Sequence, residues 1–103
     1  MILDHIAINV SNIEDSVSWY KEKLKAKVLY QDNTWGMVEA GGTKIAFTVA
    51  SEHPPHISLQ VKSLKEFPDG CETNTHRDGS VYFYDPDPDG NIIEWIYYPD
   101  SLN

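Results

Sequence analysis

Three residues carry the strongest chemical suggestion in this chain of 103 residues: His5, His56 and Glu94. The two histidines open a repeated segment, His5-Ile6-Ala7-Ile8-Asn9-Val10, which returns 51 residues later as His56-Ile57-Ser58-Leu59-Gln60-Val61. Alternation makes the first segment a half-buried strand, with Ile6, Ile8 and Val10 on one face and His5, Ala7 and Asn9 on the other. The repeat gives His56 the same placement, in the company of Ser58 and Gln60. Glu94 lies within Ile92-Ile93-Glu94-Trp95-Ile96, where a carboxylate is costly to bury unless it is paired or metal-bound. There the alternation sets Ile93, Trp95 and Tyr97 against a helix and leaves Glu94 on the opposite face with Ile92, Ile96 and Tyr98. Two imidazoles and a carboxylate projecting from three strands onto one face form a two-His, one-carboxylate set. Such a set binds Fe(II), Mn(II), Zn(II) or Ni(II) and leaves positions open for a substrate. His53 falls off the repeat register and precedes Pro54-Pro55, so it reads as a loop residue.

The elements that position these residues follow from the same repeat. Ser11-Asn12-Ile13-Glu14-Asp15 faces Lys62-Ser63-Leu64-Lys65-Glu66, and Gly42 with Ile45-Ala46-Phe47-Thr48-Val49 faces Gly90 with Ile93-Glu94-Trp95-Ile96-Tyr97 at an offset of 48. The chain therefore divides into two modules, about 1–51 and 52–103, with no linker between them, expected to pack as one domain. In the first, a strand over 3–10 is followed by a helix capped by Asp15 or Ser11 and running to about Lys25, with Val17, Tyr20 and Leu24 on its apolar face. Strands follow near 27–32, 35–40 and 43–50, broken by Asp32-Asn33 and Gly41-Gly42. In the second, Pro68, Asp69 and Gly70 cut the helix short, and strands are expected near 56–61, 71–76, 80–84 and 91–98. Residues 85–91, with two prolines and an Asp-Gly pair, read as a turn.

Composition excludes several classes of function. With 8 Lys and Arg against 16 Asp and Glu, a net charge of −8 and a pI near 4.7, the chain lacks the clustered cations that hold phosphates. The same charge repels an anionic membrane surface and suits a cation, a metal or a neutral small molecule. No apolar run approaches the ~18 residues of a membrane span, and the N-terminus has no positively charged signal-peptide start. The single cysteine, Cys71, closes no intrachain disulfide and lacks an adjacent basic residue. The expectation is a cytoplasmic protein with a small-molecule substrate and no nucleic-acid or membrane partner. Exposed sheet edges favour a homodimer.

The residues quoted above resemble a known family. The opening Leu3-Asp4-His5-Ile6-Ala7-Ile8-Asn9-Val10, the helix segment Ser18-Trp19-Tyr20-Lys21-Glu22-Lys23-Leu24 and the run Asp87-Pro88-Asp89-Gly90-Asn91-Ile92-Ile93-Glu94 look like the vicinal oxygen chelate superfamily. That group includes glyoxalase I, fosfomycin-resistance thiol transferases, extradiol ring-cleaving dioxygenases and bleomycin-resistance proteins. The resemblance covers essentially the whole chain. It implies an α+β fold of two βαβββ modules forming a cup-shaped mixed sheet, the second module with a truncated helix, and His5, His56 and Glu94 as ligands of a divalent metal ion.

Reaction types divide by residue. Glyoxalase I takes a catalytic Glu from the last strand of the first module, where this chain has Ala46, leaving Glu39 or Glu52 to substitute. The fosfomycin enzymes carry a Thr two residues after the first His, where this chain has Ala7. Bleomycin-binding relatives are acidic and generally lack the metal triad, which keeps a metal-free drug- or metabolite-binding protein as the alternative from another class. The extradiol signature is followed by Asn74-x-His76, Phe83-Tyr84, Asp87-Pro88-x-Gly90 and Glu94. By that resemblance His76 and Tyr84 are catalytic acid–base groups beside a bound diol, Fe(II) is the preferred ion over Mn, Zn or Ni, and the function is most like that of a catechol-type dioxygenase. Two departures stand beside it. The usual dioxygenase carries four modules, and the second catalytic His expected ahead of His56 is absent.

Overall fold

Eight strands and one α-helix form along residues 1–99, the part of the chain that the computed structural model describes. In chain order they are β1 (Ile2–Asn9), α1 (Ile13–Leu24), β2 (Lys27–Gln31), β3 (Trp35–Ala40), β4 (Thr43–Thr48), β5 (His56–Val61), β6 (Asn74–Thr75), β7 (Val81–Pro86) and β8 (Ile92–Tyr97). The strands make one mixed sheet in the order β2-β3-β4-β1-β5-β8-β7-β6. This is the α+β architecture that the resemblance implies. The contacts group into two compact units, His5–His56 and Met1–Asp4 with the chain from Ile57 onward.

In the unit His5–His56, α1 begins at Asn12, whose side-chain oxygen accepts from the Asp15 N–H at 2.8 Å. The cap expected at Asp15 or Ser11 is corrected to Asn12. Asp15 lies instead in the first turn with Glu14, where negative charge is favoured, while Lys21 and Lys23 occupy the last turn. The helix covers one face of the strands. Ile13 and Val17 pack with Ala26, Val38 and Phe47, and Ile8, Val10, Tyr20, Ala40, Ile45 and Val49 close the cluster. β1 runs parallel to β4 with Ala7 beside Ala46 and Asn9 beside Thr48, and β3 pairs antiparallel with β4. The β3–β4 turn needs two residues at positive φ, which Gly41 (φ 60) and Gly42 (φ 80) supply.

Gly36 shows how closely α1 approaches. A Cβ there would stand 3.1 Å from Ile13 Cγ2 and 3.2 Å from Val17 Cγ2. Gly36→Ala is expected to overpack this contact and cost about 1–3 kcal/mol of stability. Urea denaturation checks this, and an unchanged midpoint would mean that the helix moves aside freely.

In the other unit, the second helix is reduced to a 3-10 turn over Leu64–Glu66, held by a capping box between Ser63 and Glu66. Phe67 ends it and packs against Phe83 and Trp95, each ring centroid 6.4 Å away. The strand expected over 71–76 shrinks to Asn74–Thr75, because only those residues pair with β7, opposite Tyr82 and Val81. β7 extends to Pro86, beyond the expected end at 84, and the β7–β8 turn is correspondingly tighter. There Asp87 Oδ1 accepts from the N–H groups of Asp89 and Asn91, and Gly90 takes φ 86. Hydrogen bonds from Asn91, its side chain foremost, hold the Asp87 carboxyl below the usual carboxylate range.

Candidate metal centre

The face of β1 turned away from α1 carries His5, Ala7 and Asn9, and His5 is buried, with 7% of its surface exposed. His56, equally buried, opens β5. The two imidazoles meet edge to face, centroids 5.5 Å apart and planes at 70°. His56 Nδ1 lies 2.8 Å from the carbonyl oxygen of Pro54. A carbonyl only accepts, so Nδ1 carries the proton and donates, and the lone pair of the neutral ring is on Nε2. A hydrogen bond from one ring nitrogen is the kind of contact that orients a ligating histidine.

Glu94 is wholly buried, at 0% exposure, in the middle of β8. Its Oε1 accepts from Ser58 Oγ at 2.6 Å and its Oε2 from His76 Nε2 at 2.7 Å. These bonds fix the orientation of the carboxylate. Ser58 stands two residues after His56 on the same face of β5, so one strand presents an imidazole and the hydroxyl that holds the Glu94 carboxylate.

Beside Glu94, Tyr84 is its register partner on β7 and Tyr82 stands opposite Ile96. Tyr82 stacks flat on His76, with centroids 3.6 Å apart and planes at 6°, and lies 5.0 Å from the Tyr84 ring. Burial, then the charge of Glu94, then Tyr82 push the Tyr84 phenol well above its ordinary value. Burial and Glu94 raise Tyr82 as well. Both phenols stay neutral through the physiological range and act as donors. Tyr98 is also held neutral by burial and by Asp4, whose Oδ2 accepts from the Tyr98 hydroxyl at 2.7 Å.

The unit His5–His56 thus supplies two buried imidazoles and the other unit a buried carboxylate, the donor types of a two-His, one-carboxylate set. The imidazole nitrogens of His5 and His56 and the Glu94 carboxylate, held by Ser58 and His76, have the donor chemistry a divalent ion requires. The model of the Glyoxalase/Bleomycin resistance protein/Dioxygenase superfamily matches residues 2–65, more than half of the chain. The chain belongs to this superfamily. Solved structures with the same fold include the methylmalonyl-CoA epimerase of Mycobacterium tuberculosis (15% identity, TM-score 0.77, covering 97% of this chain and 89% of that one). A hypothetical protein from Bacillus halodurans C-125 is similar at 24% identity and a TM-score of 0.73, over 95% and 94% of the two chains. A Streptomyces coelicolor methylmalonyl-CoA epimerase variant, in complex with 2-nitronate-propionyl-CoA, is similar at 14% identity and a TM-score of 0.69, over 94% and 96%. At these identities the likeness is one of fold.

Ala46, which the repeat pairs with Glu94, is buried and stands beside Ala7. Of the two carboxylates considered in its place, Glu39 is exposed on β3 opposite Lys44, and Glu52 is exposed in the turn after β4. His53 and Pro54 contribute through their carbonyls, and backbone acceptors leave no mark on residue type. Asn9 shares the parity of His5, which is visible in the strand alternation.

Proposed function

We propose that this chain is a divalent-metal-dependent enzyme acting on a small substrate with two adjacent oxygens. The observation that carries this reading is the preparation of the ligands: Nδ1 of His56 bonded to Pro54, and a wholly buried Glu94 fixed by Ser58 and His76. His5, His56 and Glu94 hold the ion, with Fe(II) the first to test and Mn(II), Zn(II) and Ni(II) sharing the same donor preferences. Bound there, a divalent ion supplies Lewis acidity toward the chelating oxygens. His76 keeps Glu94 oriented, and the neutral Tyr84 donates a hydrogen bond to an oxyanion forming next to Glu94.

The apolar side chain of Ala46 narrows the reaction. Epimerisation takes a proton from one face of a carbon and returns one to the other, and a glyoxalase-type shuttle uses the position held here by Ala46. Neither is favoured by a face bearing Ala7 and Ala46. A catechol-type dioxygenation, with His76 and Tyr84 managing the protons of the diol, agrees better with this arrangement. We place the enzyme in the cytoplasm as a homodimer. The described residues contain no helix long and apolar enough to cross a membrane.

The test is turnover of catechols, 2-oxoaldehydes and thiol–epoxide pairs by protein stripped with chelator and reloaded anaerobically with Fe(II), its mass read by sedimentation in the same preparation. Catechol consumption with oxygen uptake, lost on stripping and restored on loading, is expected. Equal turnover by stripped protein would overturn the reading.

A further inference from the structure

The Asn9 side chain holds a junction that the metal ligands alone do not explain. Its Nδ2 donates to Thr48 Oγ1 at 2.8 Å and to the carbonyl of His53 at 2.9 Å. Thr48 is almost fully buried, so the amide is anchored on β4 while it reaches into the loop after that strand. The start of the same loop is fixed by the Val49 carbonyl, which accepts from the N–H groups of Glu52 and His53 at 3.0 and 3.2 Å. From His53 the chain passes through Pro54 and Pro55 directly to His56. Proline fixes its own φ and restricts the residue before it to extended backbone, so this segment has little freedom left once His53 is pinned. Its Pro54 carbonyl is the group that accepts from His56 Nδ1.

We infer that Asn9 is a positioning residue for His56. By clamping the His53 carbonyl, it sets the Pro54 carbonyl that keeps the proton on Nδ1 and the lone pair on Nε2. Every group in this chain of contacts lies within the unit His5–His56. The inference deepens the metal-site reading and rests on it for its purpose, while its geometry stands independently.

Asn9→Asp keeps the shape of the side chain and removes both donors. Two readouts separate the cases: the 15N shifts of the His56 ring in metal-free protein at pH 8, and Zn(II) affinity by chelator competition. The wild type is expected to show the Nδ1–H tautomer alone. Asn9→Asp is expected to show a mixture and to bind Zn(II) about tenfold more weakly, at the lower end of what loss of an orienting partner costs. Thr48→Val, which removes the anchor but leaves Asn9 in place, is expected to shift both readouts the same way by less, and it decides the matter should Asn9→Asp fail to fold. Gly36→Ala, which destabilises the opposite side of the same unit, is expected to leave the tautomer untouched. An unchanged tautomer and Zn(II) affinity within twofold of wild type in the folded variants would overturn the role of Asn9. Failure of the wild type itself to bind Zn(II) would instead overturn the metal-site reading, and the ring shifts would still decide whether Asn9 sets the tautomer.

Discussion

Glu94→Gln is expected to weaken divalent-metal binding by about a hundredfold or more, beyond the 10–100-fold that loss of an orienting partner costs. The fold should survive. The Gln amide oxygen still accepts from one of Ser58 and His76, and the amide NH2 meets the other, which can rotate or change tautomer to accept. Glu94→Ala is different, because it removes the acceptor of the buried Ser58 hydroxyl, at about 1–3 kcal/mol for the unsatisfied group. Isothermal titration with Zn(II), paired with thermal denaturation, separates the two effects. A Gln variant that binds metal like wild type would remove Glu94 from the ligand set.

Tyr84→Phe is expected to lower kcat/KM by about 10²–10³ while leaving metal content unchanged, the magnitude lost when one donor to a developing oxyanion is deleted. The sign of its pH dependence follows from its surroundings. Burial, Glu94 and Tyr82 all disfavour the phenolate, so the donor form persists through pH 10 and is lost only as the pH climbs higher. The stability gained by keeping the phenol neutral is likewise fully present below the ordinary tyrosine pKa and lost above it. Steady-state profiles of wild type and variant between pH 6 and 10 should therefore run parallel. An alkaline limb in the wild type that disappears in Tyr84→Phe would mean that the phenol titrates in that range and serves as a base.

Much of this arrangement was legible in the sequence because it rests on parity and repetition. The spacing of His5 and His56, and the apolar neighbours of Glu94, fix which face each side chain takes, and strand alternation carries that information faithfully. The contacts that prepare those residues were less visible. Ser58 could be placed beside His56 by counting, but that its hydroxyl would reach Glu94 depends on how β5 and β8 adjoin. Asn12 outcompeted Asp15 as the helix cap because both are good caps and only the entry path of the chain chooses between them. β6 shortened because pairing with β7, and not local propensity, decides where an edge strand begins. His76 lies just after β6, outside any strand, and reaches Glu94 by stacking on Tyr82, a tertiary contact that no local pattern encodes.

Anaerobic titration of metal-free protein with Fe(II), alongside His5→Ala, His56→Ala and Glu94→Gln, tests the central claim most directly. The account predicts one saturable ion per chain in the wild type, lost or greatly weakened in each of the three variants. Saturable binding that survives all three substitutions, or none in the wild type, would contradict it.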